Sequence, residues 1–506
     1  MSRGFTVLDA LVIVAYLAGT TALGIWVGRR QTGSKDYFVA GRQIPWWAVL
    51  FSIVATETSA LTFISIPGLA YTGNLGFLQV VAGYILGRIG VAFLLLPRYY
   101  EGEIVTAYTL LEKRFGLATR RMTSIVFMVT RGMADAVRVF ATAIPVSLIL
   151  GDRVPQAWAM PIAIMVLGGL TILYTYRGGM RAVVWTEILQ ASVYLLGGIS
   201  AIVLLGKVVP GGWSAILEQA GGAGKLTAID FSFDLSKPHT VWAGLIGGGF
   251  LSMASHGADQ LIVQRLLSSR NLREAQRAII GSGIVVFAQM ALFLFVGIGL
   301  WAHFGGQSFA TTDSIFPKFI VEEMPAGLVG LLLAAIIAAT MSTHSGAINS
   351  LAAATTHDIY MPLTGRTAED PATFRAGRRF ALFWGVVLTG GAMLFKAQGT
   401  PVVVVALGIA SFTYGGLLGV FFLGNFWPRV AQWHAILGLS VGIFVMAFVV
   451  FAGRLITAFP VMANALGPFA RIAWPWYVLI GTSITMIVGV GASLLFPRPQ
   501  RAGVST

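Results

Sequence analysis

The 506-residue chain has no cysteine and only six histidines. The first absence excludes disulfides and thiolate metal sites together, and the histidines stand singly, with no His-Glu-x-x-His spacing, so a metalloenzyme has no ligand set to build on. No glycine-rich phosphate loop is present to suggest an ATP-driven pump, and no nucleophile and base converge at motif grade, so an enzyme is not expected. Charge is scarce as well: Asp, Glu, Lys and Arg make up 11% of the residues, too few to cover a water-facing globule.

What the chain has instead is apolar length. Hydrophobic residues are 56% of it and the mean hydropathy is +0.80, which predicts an all-α integral membrane protein. Segments long enough for a helix to cross a bilayer, about 20 residues, run near 6–28, 45–73, 75–99, 120–150, 157–175, 181–206 and 238–267, then near 275–304, 324–355, 374–395, 398–425, 430–453 and 472–496. That makes thirteen expected spans. The first is too long for a signal peptide and is expected to be retained. The net charge of +14 is explained by the loops. With the N-terminus outside, 22 of the 34 Lys and Arg fall in inside loops and 9 outside, the other three being Arg88, Arg131 and Arg138 within spans. Cationic residues collect on the cytoplasmic side, so N-out and C-in is the expected orientation, in the plasma membrane (the inner membrane of a Gram-negative cell). Nucleic acid is not an expected partner, no obligatory protein partner is evident, and the lipid bilayer is one.

The second span, FSIVATETSALTFISIPGLAY, carries Glu57 inside it, with Thr56, Thr58, Ser59 and Thr62 around it and Pro67 and Gly68 one to two turns on. A carboxylate at that depth is costly, roughly 3 kcal/mol on insertion scales, and marks a functional site by default. The composition is that of a helix broken around a ligand. The fourth span places Arg131, Asp135 and Arg138 on one face, readable as a self-neutralising triad or as a solute contact. Glu187 lies about two turns inside the sixth span, where it fits either an ion pair with Arg181 or Arg177 at the helix start or a cation ligand. The seventh span is glycine-rich and then polar, offering Ser252, Ser255 and His256, the last readable as a hydrogen-bonded interior histidine.

On the ninth span, IIAATMSTHSGAINSLAAATTHDIY, residues Ala339, Ser342 and Thr343 share a face. A carbonyl and two hydroxyls are the neutral, hard oxygen donors that Na+ takes. The same helix carries a small-residue stripe of Ala338, Ser342, Gly346 and Ser350, which predicts close helix packing.

Four spaced runs, YFVAGRQIPWWAVLFSIVATETSA, YRGGMRAVVWTEILQ, GADQLIVQR and SxxSGAINSLAAATTHDIY, together resemble the sodium:solute symporter family, whose members carry sugars, proline, sialic acid, monocarboxylates, vitamins or iodide. The resemblance covers nearly the whole chain in order. It implies a single transporter domain over 1–506 with a LeuT-type core: an extra helix at 6–28, a first five-helix repeat at 45–206, an inverted second repeat at 238–425 and two C-terminal helices at 430–496. It implies a Na+ site on Ala55, Thr58, Ala339, Ser342 and Thr343, and alternating access with Na+ as the coupling ion. A second cation site would fall on Glu187, Ser342 and Ser345. That match is incomplete, because Gly346 lacks a hydroxyl and Glu is longer than the family's Asp. Glu57 stands where proline symporters have an Asp and sugar symporters an Asn, and Ser255-His256 replaces the sugar group's Tyr-Trp, which disfavours a sugar.

The expected solute contacts are Glu57, Thr62, Arg131, Asp135, Arg138, Ser252, Ser255 and His256. Within the spans Arg88, Arg131 and Arg138 balance Glu57, Asp135 and Glu187, so an added Na+ leaves a positive core that an anion relieves. A small carboxylate on Arg138 or Arg131 is therefore the leading solute, with an amino acid, a sugar or an inorganic anion as alternatives, and proton coupling through Glu57 or Glu187 as the alternative to sodium.

Overall fold

In the computed structural model, which describes residues 5–30, 33–58, 60–101, 104–150, 154–309, 311–395 and 402–496, the described residues form helices and no strand. Ser59 lies outside the described residues. The only extended pairing among them is an isolated bridge between Ile44 and Ser269.

The first helix, α1 (Val7–Val27), starts at a reciprocal cap in which the Thr6 N–H donates to Asp9 and the Asp9 N–H donates to the Thr6 hydroxyl. Such a cap satisfies two of the N–H groups that every helix start leaves without partners. The broken second span follows as α2 (Trp46–Glu57) and α3 (Ala60–Thr72). Thr58 takes φ −82° and ψ 83°, outside the helical range, and the axis turns by 60° across the break. A helix that stops at mid-depth leaves its last carbonyls without i+4 donors, free to face an ion.

Next come α4 (Phe77–Gly90), α5 (Leu117–Leu150) and α6 (Gln156–Val208). Within α6 the backbone turns at Gly179, at φ 52° and ψ −158°, which glycine tolerates. This divides it into stretches 157–176 and 178–208, the expected fifth and sixth spans. The seventh is again in two pieces, α7 (Gly249–Gly257), preceded by a π-turn, and α8 (Gln260–Leu267). The chain continues through α9 (Leu272–His303), α10 (Leu328–Ala354), α11 (Pro371–Leu394), α12 (Val402–Phe426), α13 (Gln432–Ala458) and α14 (Trp476–Leu495).

Eight helices among the described residues are long and apolar enough to cross a membrane, nine if the bent α2–α3 pair is one span. Helices also lie on the fourth, seventh, tenth and eleventh expected spans. Leu11, Val14, Ile125, Val129, Leu196 and Val203 stand exposed on helices, the arrangement lipid tails favour and water does not. Burial ranks the helices: of the apolar stretch of 328–364, 89% is buried, against 22% for α1. The helix carrying Ser342 and Thr343 is thus the axis of the bundle, and α1 lies at its edge. They meet through Asp9, whose second carboxylate oxygen accepts the N–H groups of Gly327 and Gly330 at 2.7 and 2.8 Å, so one acid caps two helices.

Candidate ion and solute site

Five elements, α2, α5, α6, α8 and α10, bring most of the expected residues together. The small-residue stripe of α10 lets its neighbours approach closely; α2, α3, α5 and α6 all pack on it. Thr340 and His344 lie one turn apart on the face toward α5, where Thr340 bonds Thr142 and His344 Nδ1 lies 2.7 Å from Asp135. Ala339, Ser342, Thr343 and Gly346 occupy the other side.

The five residues of the expected Na+ site are all buried. The Thr343 hydroxyl donates to the Ala339 carbonyl at 3.1 Å. Thr58, at the helix break, accepts from Gln289 at 2.6 Å, and Gln289 in turn accepts from the Tyr194 hydroxyl at 3.2 Å. That leaves Thr58 a lone pair aimed elsewhere. Ser342 is fully buried and its Oγ has no hydrogen-bond partner. Buried hydroxyls are almost always bonded, so an orphaned one on this face fits a donor set for a desolvated hard cation.

Glu187 is buried too, and its partner is not Arg181; the Arg177 side chain lies outside what is described. Arg181 reaches Asp36 at 3.4 Å, whereas Glu187 meets Arg265 of α8 at 2.5 Å, with both side chains at 0% exposure. Ser52 and Thr56 donate to the same carboxylate. The helix-start pair fails because Arg181 lies a turn and a half away along the helix, while the break at Ala258–Asp259 turns α8 so that Arg265 points inward. Ser345 donates to the Ser342 carbonyl at 2.9 Å, and no bond joins it to Glu187 among the described residues.

Glu57 is paired with Arg88 of α4 and lies 3.5 Å from His256 Nε2. Arg88 also donates to Ser282 at 3.0 Å. His256 Nδ1 is held by Ser255 at 2.8 Å and by the Ser252 carbonyl at 3.1 Å, and the Ser252 hydroxyl donates to the Tyr84 carbonyl at 2.9 Å. Thr62 is buried on α3.

The fourth-span charges are not a self-neutralising triad. Asp135 is taken by His344, and Arg131 is shared with Asp259 at 3.7 Å. Asp259 is also engaged: it caps α8 through the Leu261 N–H at 2.7 Å and accepts the Tyr414 hydroxyl. Arg131, only 4% exposed, keeps Nε and Nη2 without a partner; Arg138 Nε, His344 Nε2 and one Asp135 oxygen are likewise unpaired and buried. On a helix, i+4 and i+7 neighbours touch only when their side chains turn toward each other, and here α8 and α10 supply nearer partners. Asp259, Arg265, Gln289, His344 and Tyr414 were absent from the expected set. The acid just after the glycine-rich part of the seventh span and the histidine next to Thr343 were the available signals.

The Sodium:solute symporter family profile matches residues 37–442. The chain is 30% identical to the sodium/sialic acid symporter NanT of Aliivibrio fischeri, over 98% of this chain and 94% of that one. It is 28% identical to sodium-coupled monocarboxylate transporter 2 of Bos taurus, over 92% and 75%. A solved structure of a Na+-coupled sialic acid symporter in a substrate-bound outward-open state superposes with a TM-score of 0.84 at 26% identity, covering 98% of this chain and 99% of that chain. With its broken second span, the oxygen-lined face of α10 and these likenesses, the chain belongs to the sodium:solute symporter family, a multi-pass helical transporter with Na+ as its coupling ion.

Proposed function

We propose that the protein imports a small carboxylate together with Na+, the ion held by Ala55, Thr58, Ala339, Ser342 and Thr343 and the solute carboxylate by Arg131 and Arg138. The observation that carries the solute reading is a pair of arginines, Arg131 buried and Arg138 partly so, whose buried donors lack partners. A guanidinium N–H left without an acceptor in a dry interior loses its hydration and gains nothing for it. A carboxylate presents two oxygens in the geometry of the guanidinium fork and supplies what is missing. Glu57 does not compete for this role, since Arg88 already neutralises it. That also weakens the amino-acid reading, in which Glu57 meets a solute ammonium. The sialic acid and monocarboxylate relatives agree with an acidic solute.

Coupling follows from reciprocity: if Na+ raises the affinity for the solute, the solute raises that for Na+ by the same factor. α10 carries the ion donors on one side and His344, through Asp135 the neighbour of Arg138, on the other. An ion that fixes α10 against the α2–α3 break therefore also fixes the wall of the solute site. Thirteen spans in two inverted repeats, at 45–206 and 238–425 between an extra helix at 6–28 and two helices at 430–496, form the proposed frame for alternating access. The first span of each repeat is the broken one. The Lys and Arg distribution supports an outside N-terminus and a cytoplasmic C-terminus in the plasma membrane.

The test is a thermal-shift screen of purified protein in NaCl against choline chloride, over monocarboxylates, sialic acid, amino acids, sugars and iodide. Stabilisation by a carboxylate in NaCl, lost in Arg138→Ala, is expected. Stabilisation by a neutral sugar alone, undiminished in that variant, refutes the reading.

A further inference from the structure

α5 and α13 pack together and begin side by side, α5 at Leu117 and α13 at Gln432. Arg114 holds the two starts in place: its guanidinium donates to the main-chain carbonyls of Trp427, Pro428 and Val430 at 3.0, 2.9 and 3.1 Å, on the loop that leads into α13. Between the helices lies an open groove of about 750 Å³, lined by Leu117, Met122, Ile125 and Val126 with Arg121 and Gln432 among them. The Gln432 side chain reaches across to the turn at Gly116, φ 109°, where an added Cβ would come within 3.0 Å of its amide nitrogen. Arg120 turns inward to Glu112 and Asp358, whereas Arg121 Nε is buried with no hydrogen-bond partner among the described residues. A guanidinium N–H in that position has lost its hydration without compensation. None of the lining residues is acidic. From the groove α5 presents Ile125, Val129 and Met133, which are 50%, 57% and 51% exposed. Spaced by four residues, they form one apolar stripe along the helix. A cationic, hydrogen-bonding head thus sits at the end of two spans, with an apolar track leading from it toward the middle of the bilayer.

We propose that this groove binds one anionic glycerophospholipid, its phosphate on the Arg121 guanidinium and the Gln432 amide and one acyl chain along Ile125, Val129 and Met133. A phosphodiester offers two free oxygens, which match the guanidinium fork. Lipid phosphates lie at the level where spans end, so one molecule reaches the head of the groove and its apolar track together. A zwitterionic lipid would bring its own ammonium to a wall with an unpaired cation and no acid, and that like-charge contact favours a lipid of net negative charge. Free phosphate would satisfy the arginine and leave the track bare. On the orientation proposed above, both helices start at the cytoplasmic face, where anionic lipid gathers. Recognition itself needs only that the two helices span.

The experiment is native mass spectrometry of the purified full-length protein in detergent, offered equimolar phosphatidylglycerol and phosphatidylcholine with the same acyl chains. The wild type is expected to retain phosphatidylglycerol in preference, and Arg121→Gln to bind it about fivefold more weakly, the worth of one cation at a membrane surface. Lys113→Gln, which removes an exposed cation outside the groove, is expected to bind as the wild type does. Equal retention of the two lipids by the wild type overturns the proposal. So does equal weakening by Lys113→Gln and Arg121→Gln, because diffuse surface charge then explains the preference. Should Arg121→Gln not fold, Gln432→Glu decides: it sets a carboxylate in the groove with Arg121, so the preference falls, and an unchanged preference overturns the proposal. In the last arm, inorganic phosphate at millimolar concentration is expected to leave the lipid in place. Displacement of the lipid by phosphate overturns the proposal in favour of a soluble-anion site.

Discussion

Two buried ionic clusters flank α10, and they are finished differently. At Glu187 every charged group is met: Arg265, Ser52 and Thr56 converge on one carboxylate, and the spare guanidinium N–H goes to a main-chain carbonyl. At Arg131 and Arg138 donors and acceptors are left over on four side chains. His344 and Gly346 are two residues apart and so face opposite sides of the helix, which makes α10 the partition between a closed cluster and an open one. A closed cluster resists change, since removing either partner strands a charge in low dielectric. An open one is poised for a ligand that completes it. On the proposed reading the first is structural and the second recognises the solute, although the sequence offers an arginine and an acid in both.

The sharpest way to break this contrast is Glu187→Gln, which strands Arg265. A loss of about 3–5 kcal/mol is expected, read as a large fall in melting temperature, and replacing Arg265 by methionine in the same chain should recover most of it. If the single variant melts like the wild type, the cluster is not closed as described. Second in size is Ser342→Ala/Thr343→Ala. Losing two ion ligands at about 1.4 kcal/mol each raises the Na+ half-saturation of uptake roughly 100-fold, and unaltered Na+-stimulated uptake would remove both residues from the site.

Arg138→Ala tests the open side. It should weaken solute binding about 10- to 100-fold, the worth of a charge-assisted hydrogen bond of about 1.5–3 kcal/mol, with melting in the absence of solute unchanged. A drop in melting without solute comparable to that of Glu187→Gln would make the two clusters alike. The smallest effect is expected away from both clusters: Asp9→Ala removes the caps of α1 and α10 and should cost about 1 kcal/mol, lowering melting slightly while leaving the Na+ half-saturation where it was.

The local geometry of the candidate site was legible because it depends on local order. Ala339, Ser342 and Thr343 share a face by helical period alone, and the break after Glu57 follows from an acid, clustered hydroxyls and a nearby proline in one apolar run. Partner choice was not legible. Arg131, Asp135 and Arg138 have the spacing of a helical ion-pair ladder, yet Asp135 turned to His344 and Arg131 to Asp259, 209 residues and 128 residues away in the chain. Glu187 passed over Arg181 of its own helix for one in α8.

By itself the sequence determined the class, the apolar spans, the broken helix and the oxygen-rich face of α10, since each follows from composition or from a period of a few residues. Only the tertiary structure decided which charges cancel and which stay open. In a dry interior each charge takes the nearest complementary group in space, and helix packing sets that distance, not separation along the chain.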